Sequence, residues 1–331
     1  MPLEEIVAGY GLLGVIAYAV LAGADFGGGI WDLFAGGPRR VQQRVAIAHA
    51  MGPVWEANHV WLIFVIVLLF TAFPPAFAAL SIALFVPFHL VLIGITLRGA
   101  AFVFRGPEIR GPSASPWGTV FGVASVITPV LLGMSVGAVS AGSLRVNEGQ
   151  VRIEGPPPWL APVSVTMGAL ALATCAYLAA VYLTNETDGP LREDFRRRAL
   201  LAGTVVVALA VLALPLIYWE APDLWKGLMS VRVAPVLAAG AVVALVSGWA
   251  LWRSRFRLAR VATVGHVALL LLGWGLAQYP YLIYPDVTLH KAAANAATLR
   301  FVAVAVPVGL LVLLPSLWLL FRVFKGETAR T

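Results

Sequence analysis

The amino-acid sequence predicts an all-α protein that crosses a membrane many times, and two observations support that prediction. The chain of 331 residues is 60% hydrophobic and 12% charged, with a mean hydropathy of +0.88. Soluble domains carry about 25% charged residues, so this composition excludes a soluble fold. The second observation is a series of nine apolar segments, each long enough for the ~20 residues that a helix needs to cross the hydrocarbon core.

The nine segments predict a single integral membrane domain over residues 1–331, arranged as two four-helix bundles plus a peripheral helix. Its halves would be residues 1–142 and 160–331. The predicted spans are 6–33, 52–72, 76–103, 117–142, 160–183, 199–219, 233–252, 261–284 and 300–322.

Basic residues concentrate in alternate loops, which predicts the orientation of the chain. The basic residues lie in the loops after the first, third, fifth and seventh spans and in the C-terminal tail. In that order they are Arg39, Arg40 and Arg44; Arg105 and Arg110; Arg192, Arg196, Arg197 and Arg198; Arg253, Arg255, Arg257 and Arg260; and Arg322, Lys325 and Arg330. By the positive-inside rule, the N-terminus is outside and the C-terminus is cytoplasmic. The net charge of +7 therefore predicts contact with anionic lipid and no binding of nucleic acid.

Cysteine usage excludes several cofactor classes. The single Cys175 allows no intrachain disulfide, and the chain has neither a cysteine cluster for an iron–sulfur centre nor a CxxCH motif for covalent haem. A cleaved signal peptide begins with a positively charged region, whereas this N-terminus carries Glu4 and Glu5. We therefore expect the first span to be retained.

The stretch from Gly52 to Leu62, which reads GPVWEANHVWL, opens the second span with several polar side chains. Polar groups in hydrocarbon cost several kcal/mol unless they are paired, so an intramembrane ionisable residue indicates a functional site. At helical spacing Glu56 and His59 share a face, whereas Asn58 points elsewhere and could tie the helix to a neighbour. The pair suits proton handling; the alternative is an ion pair that only packs the helix.

The first span carries two carboxylates on one face. Asp25 and Asp32 are seven residues apart, which places Asp25 about 10 Å deeper in the membrane. Asp32 has a simpler alternative role as the partner of Arg39 or Arg40 near the cytoplasmic end. Asp25, flanked by glycines that let a neighbouring helix approach, is less easily explained as structural.

Together the ionisable residues form a graded set that leads inward from one side. Asp32, Glu56 and Arg98 lie in the cytoplasmic half of three consecutive spans, and Asp25 and His59 lie deeper. This order is what a proton relay requires. A proton-coupled transporter using Asp25, Glu56 and Arg98 as its substrate site is the alternative, although paired broken helices typical of such a site are not evident.

The loops of the opposite side predict small structural elements. Residues 144–153 predict a hairpin that turns at Glu148 and Gly149, and residues 221–233 predict an amphipathic helix at the membrane surface. Asp286, His290 and Lys291 could hold a loop there or contact a partner, and we expect them to hold a loop.

Two motifs resemble subunit II of cytochrome bd-type quinol oxidases, close to the cyanide-insensitive branch. They are the GADFGGG run of residues 23–29 and the GPVWEANHVWL run of residues 52–62. The likeness continues through residues 97–99, 279–280 and 295–300, and so covers nearly the whole chain. Its structural motif residues here are Trp55, Asn58, Trp61, Gly27 and Gly29.

The resemblance implies a subunit of a prokaryotic cytoplasmic-membrane oxidase. In that family, subunit I carries haems b and d, oxidises quinol and reduces oxygen to water, and subunit II is its haem-free partner. Glu56 then maps onto a residue associated with proton delivery, and Asp25 and Arg98 onto family positions. Val103 stands where some members carry a second carboxylate, so the proton path must differ there. The resemblance leaves room for a structural quinone and a small accessory subunit.

Haem binding by this chain alone is the remaining alternative. His59, His89 and His266 lie in predicted spans and could ligate iron in principle. Without a predicted opposing ligand at matched depth, each is expected to be a hydrogen-bonded helix contact. We therefore expect this chain to bind no haem or metal and to contain no catalytic residue of its own.

Overall fold

The computed structural model describes residues 2–51, 55–105, 116–147, 149–153 and 155–326, and it is nearly all helical. Within these ranges there are thirteen helices, four short strands and one 3-10 turn at Pro158–Leu160. The helices are α1 Leu3–Leu33, α2 Arg40–Met51, α3 Trp55–Ala72, α4 Pro74–Ala83, α5 Phe85–Phe104, α6 Pro116–Ser140, α7 Pro162–Glu186, α8 Gly189–Glu220, α9 Pro222–Leu228, α10 Ala234–Trp252, α11 Phe256–Gln278, α12 Leu289–Ala292 and α13 Ala296–Gly326; the strands are β1 Leu144–Asn147, β2 Gln150–Ile153, β3 Tyr281–Ile283 and β4 Val287–Thr288.

The number of membrane-crossing segments is eight or nine, against the nine predicted from the sequence. In the part of the chain that the structure describes, eight helices are long and apolar enough to span a membrane: α1, α5, α6, α7, α8, α10, α11 and α13. Helices α3 and α4 are bent by 119° at the break between them, and the number becomes nine if this pair is counted as one span. Pro74 and Pro75 occupy the first positions of α4, where a missing backbone N–H costs nothing, so a new helix begins directly after the bend.

Two predicted spans are wrong in their bounds. The span predicted over residues 76–103 is divided at Leu84, whose φ of −107° and ψ of 24° interrupt the helix. Pro87 explains the break, since its ring clashes with the carbonyl four residues earlier and it donates no hydrogen bond. The span predicted to reach residue 284 ends at Gln278, because Pro280 disfavours the helical conformation in the residue before it.

Helix α1 is the common neighbour of both halves of the chain, packing against α3, α6, α7, α11 and α13. Close approach depends on its glycines. A Cβ atom on Gly27 would lie 1.9 Å from the carbonyl oxygen of Cys175 in α7, and one on Gly29 would lie 2.0 Å from Ser125 Oγ in α6. These two positions therefore have the helix-packing role expected from the motif. The division into two four-helix halves stays a prediction.

The loops at the N-terminal end of α1 form the expected small elements. Strands β1 and β2 pair antiparallel as the predicted hairpin. Asp286 holds the following loop, accepting hydrogen bonds from Arg145 Nε at 2.8 Å and Nη2 at 3.1 Å and from the backbone N–H of Val146 at 2.9 Å. His290 contacts Glu4, and Lys291 donates to the Asp286 carbonyl. The loop-holding role predicted for these side chains is confirmed.

At the opposite end of the molecule, near the C-terminal end of α1, helix α2 packs against the start of α8. Arg39 donates two hydrogen bonds to Asp194, at 2.7 and 2.6 Å, and Gln43 donates a third at 3.1 Å. Ile47 on α2 is fully buried, packed with Phe195 of α8. Arg39 is thus engaged with Asp194, so the predicted pairing of Asp32 with Arg39 is wrong, whereas a pairing with Arg40 stays a prediction.

Candidate functional site

Two ion pairs are buried one above the other between α1 and α5. Asp25 Oδ1 lies 2.8 Å from Arg98 Nη2, and Asp32 Oδ2 lies 3.0 Å from Arg105 Nη1. All four side chains are at most 6% exposed. We call Asp25, Asp32, Arg98 and Arg105 the charged centre. Charges this deeply buried are retained only when they are paired, and they indicate function more often than stability.

The two aspartates and the two arginines of the charged centre have the same spacing along the chain, which explains how they pair. Asp25 and Asp32 are seven residues apart on α1, and Arg98 and Arg105 are seven apart along and just past α5. Seven residues are close to two helical turns and rise about 10 Å. Because the earlier aspartate meets the earlier arginine, the two helices run in the same direction and the pairs lie one above the other.

Helix α6 supplies the side chains that separate and position the two arginines. Arg98 Nε donates to Ser125 Oγ at 3.0 Å, and that hydroxyl donates to the carbonyl of Phe121 at 2.7 Å. The Phe121 ring lies 4.9 Å from the guanidinium of Arg98 and 3.7 Å from that of Arg105, so both cations contact one aromatic ring. Gly29 allows α6 to come this close to α1.

Asp25 is held by charge rather than by fixed hydrogen bonds. Its distance to Arg98 is that of an ion pair, but neither carboxylate oxygen has a hydrogen-bond partner of acceptable geometry among the described residues. Arg98 instead donates to the backbone carbonyl of Asp25 at 3.1 Å. A buried carboxylate usually has all its lone pairs satisfied. Asp25 therefore keeps acceptor capacity for a water molecule or a proton.

His59 lies against two aromatic rings of α1 near Asp25. Its ring centroid lies 6.0 Å from that of Tyr18 and 6.2 Å from that of Phe26, the neighbour of Asp25 in α1. The charges of Asp25 and Arg98 both act on the imidazole. The deeper part of the predicted set thus converges at the contact between α1 and α3.

The start of the second predicted span is described only in part. Glu56 belongs to the first turn of α3, but residues 52–54 and the side chains of Trp55 and Glu56 lie outside what the structure describes. The predicted contact between Glu56 and His59 therefore stays a prediction. Asn58 is buried, as a residue that ties two helices would be, and the Trp61 ring meets Phe64 edge to face at 6.3 Å.

Sequence reasoning missed Arg105 as a member of the site. It lies just beyond α5, and the sequence analysis assigned it to one of the basic loops. Its side chain is nevertheless only 2% exposed and pairs with Asp32. The signal that could have identified it is the repeated spacing of seven residues, 25 to 32 and 98 to 105. Val103 stands where some members of the resembled family carry a second carboxylate. Its side chain is 66% exposed and so faces away from this buried cluster.

The three histidines in membrane-spanning helices make separate contacts. The exposed His89 bonds through Nδ1 to the carbonyl of Phe85 at 2.7 Å, within its own helix α5. His266 Nδ1 lies 3.1 Å from the carbonyl of Gly240, which joins α11 to α10. Among the described residues there is no group of three or more His, Cys, Asp or Glu side chains that could hold a metal ion. His89 thus makes a contact within its own helix, and His266 makes one between two helices.

Comparison with known proteins gives a consistent result over the whole chain. The family model described as "Cytochrome bd terminal oxidase subunit II" matches residues 3–324. A Bacillus subtilis (strain 168) protein named as a cytochrome bd menaquinol oxidase subunit II is 24% identical over 326 residues, covering 95% of this chain and 93% of the relative. Cytochrome bd-I ubiquinol oxidase subunit 2 of Escherichia coli (strain K12) is 30% identical over 210 residues, covering 61% and 54% of the two chains.

The fold agrees as well. A chain of the bd oxidase structure from Geobacillus thermodenitrificans superposes with a TM-score of 0.83 at 25% sequence identity, covering 98% of this chain and 99% of that one.

Proposed function

Since the chain belongs to the cytochrome bd terminal oxidase subunit II family and so forms part of a quinol oxidase, we propose that it carries protons toward the oxygen-reducing centre of that complex. Oxygen reduction to water consumes protons, and a helical subunit can supply them only through intramembrane polar groups. The family assignment decides for an oxidase subunit over a permease. The proposed route uses Asp32, Glu56, Asp25 and His59, with Arg98 as the fixed counter-charge.

The observation that carries this proposal is the stacked pair of buried aspartate–arginine contacts. Each arginine gives its carboxylate a fixed counter-charge, so release of a proton would not leave a lone buried negative charge. The two carboxylates are about 10 Å apart along α1, so a proton crosses that gap through water molecules or through Glu56. Arg98 is itself fixed by Ser125, which keeps the counter-charge in place.

We propose that the proton entry is cytoplasmic. The basic loops follow α1, α5, α7 and α10, and these ends of the helices include Asp32 and Arg105. The positive-inside rule then places the charged centre in the cytoplasmic half and the N-terminus outside. Protons would enter beside Asp32 and pass inward to Asp25.

We further propose that the chain itself is haem-free. The haems of the complex accept electrons from quinol and deliver them to oxygen, and we assign haems b and d to subunit I. The support is the family assignment, since the resemblance implies that subunit II is the haem-free partner of subunit I. A structural quinone and a small accessory subunit stay predictions.

The test is oxygen consumption by the purified complex at equal haem content. We expect Asp25→Asn and Glu56→Gln to slow quinol-driven turnover at least about tenfold, because an amide cannot release a proton, while haem absorption stays normal. Glu56→Gln is needed because Asp25→Asn leaves the Arg98 charge uncompensated and can impair assembly.

The matched control is Asp286→Asn, which removes an arginine-paired carboxylate at the opposite end of the molecule. It should keep wild-type turnover. If Asp25→Asn and Glu56→Gln complexes assemble and turn over at the wild-type rate, protons take another path and the proposal is wrong.

A further inference from the structure

Tyr18 continues the spacing of the charged centre along α1. It lies seven residues before Asp25, as Asp25 lies seven before Asp32, so the three side chains share one face of the helix. Helix α1 runs from Leu3 to Leu33, which puts Tyr18 at its midpoint. The face that carries the two carboxylates therefore reaches the middle of the membrane at a phenol.

The Tyr18 hydroxyl is buried without a fixed partner. The residue is 9% exposed, and among the described residues its oxygen has no hydrogen bond. An unpaired buried hydroxyl destabilises a fold, and phenylalanine would fill the same space without that cost. Packing therefore accounts for the ring of Tyr18 and leaves its hydroxyl unexplained.

His59 lies between the level of Tyr18 and that of Asp25. Its ring is 6.0 Å from the Tyr18 ring and 6.2 Å from the ring of Phe26. The charges of Asp25 and Arg98 act on the Tyr18 phenol as well as on the imidazole. The hydroxyl is thus in the same electrostatic environment as the deeper end of the proposed route.

A second buried tyrosine shows what a structural hydroxyl looks like in this protein. Tyr177 of α7 is as buried as Tyr18, and its hydroxyl lies 2.6 Å from Ser247 Oγ. Ser247 in turn lies 2.7 Å from Thr263 Oγ1 and 3.3 Å from the carbonyl of Ala259. These bonds join α7, α10 and α11, so this hydroxyl has a packing role that Tyr18 lacks.

We propose that Tyr18 is the innermost proton-relay residue of this subunit, exchanging protons with Asp25 and His59 through water bound at its buried hydroxyl. The inference rests on the function proposed above and extends its route by about 10 Å, to the middle of the membrane. In each step the phenol oxygen accepts a proton on a lone pair while its own O–H bond breaks toward the next acceptor. The residue stays neutral overall, and no oxidant or reductant is needed.

The test compares Tyr18→Phe with Tyr177→Phe in the purified oxidase complex. For Tyr18→Phe we expect turnover per haem to fall at least about fivefold, with a larger solvent deuterium isotope effect because proton transfer limits the rate. Its thermal midpoint should be unchanged or higher, since an unpaired hydroxyl is removed. For Tyr177→Phe we expect the reverse: wild-type turnover and a lower thermal midpoint.

Wild-type turnover in Tyr18→Phe overturns the inference. If Asp25→Asn and Glu56→Gln are still slow, the proposed function stands without Tyr18; if they also turn over normally, both proposals fall. Equal losses of turnover and of thermal stability in the two tyrosine variants would also overturn the inference, because the loss would then reflect packing.

Discussion

The first half and the second half of the chain each bury a polar centre between helices, and the two centres are built differently. In the first half the charged centre joins α1 to α5 by two ion pairs, and the side-chain oxygens of Asp25 and Tyr18 have no hydrogen bond within the described chain. In the second half Tyr177, Ser247 and Thr263, which we call the hydroxyl centre, form a neutral network.

The difference separates two uses of buried polarity. A neutral network of hydrogen-bonded hydroxyls joins helices at low electrostatic cost. A charged centre is a costly way to pack helices, because its charges lose their hydration when they are buried. Apolar residues of similar volume often pack helices equally well. Departures from full hydrogen bonding are expected at functional sites. The comparison therefore favours transport in the first half and support in the second.

The largest effect is expected from Arg98→Met, which leaves Asp25 as an uncompensated buried charge. Removing one partner of a buried ion pair costs about 3–5 kcal/mol, so little assembled complex should survive. The measurement is the amount and thermal midpoint of complex purified from membranes.

The double variant Asp25→Leu/Arg98→Met is the control for that loss. Replacing both partners removes the uncompensated charge, so assembly should recover while turnover stays slow. A single Arg98→Met variant of wild-type stability would mean that the pair is not electrostatically coupled.

An intermediate effect is expected at two matched serines. Ser247→Ala should destabilise the complex by about 1–3 kcal/mol, because Tyr177 and Thr263 each lose a buried partner, and should leave turnover unchanged. Ser125→Ala should cost a similar amount and also slow turnover, since Ser125 fixes Arg98. Thermal midpoint and oxygen uptake are measured on the same samples. Equal turnover in both variants would remove the functional distinction between the centres.

The smallest effect is expected at the exposed pair of Arg145 and Asp286, whose side chains are 43% and 22% exposed. Hydrogen bonds from Arg145 and from the backbone N–H of Val146 hold the pKa of Asp286 below its usual range, against the opposing effect of burial. A lowered carboxylate pKa adds stability above the unfolded value of ~3.9, and that stability is lost as pH falls through the folded pKa.

Arg145→Gln should therefore cost at most about 1 kcal/mol at pH 7 after solvent screening, and the difference from wild type should shrink below about pH 4. The thermal midpoints of both proteins in detergent, measured from pH 7 downward, check this. A difference that grows toward low pH would contradict the assignment.

Much of the fold could be predicted from the sequence because apolar runs of spanning length are unambiguous. The break at Leu84 could not be placed, since Pro87 in a membrane helix can produce either a kink or a break and neighbouring helices decide which. The hairpin at residues 144–153 was predictable from its turn, because a Gly at positive φ, here Gly149 at 78°, is a local requirement.

The site was predictable residue by residue but not pair by pair. Asp25 and Arg98 stand out because charges are rare in hydrocarbon. The partner of Asp32 could not be identified, since Arg39 and Arg105 both look like loop cations in sequence, and only the docking of α2 on Asp194 engages Arg39 elsewhere. The unpaired hydroxyl of Tyr18 could not be predicted at all, because hydrogen bonding in the interior depends on every neighbouring helix.

The matched spacing on α1 and α5 also limits how many protons the charged centre holds at once. Each aspartate–arginine pair is neutral, so a proton on either carboxylate leaves that pair with a charge of +1. Two such charges about 10 Å apart repel by roughly 1.5–2 kcal/mol at an effective dielectric constant of ~20, which disfavours double loading by more than about tenfold. If the proposed route is correct, the charged centre would hold one proton at a time, and Asp25 would have to release its proton before Asp32 accepts the next.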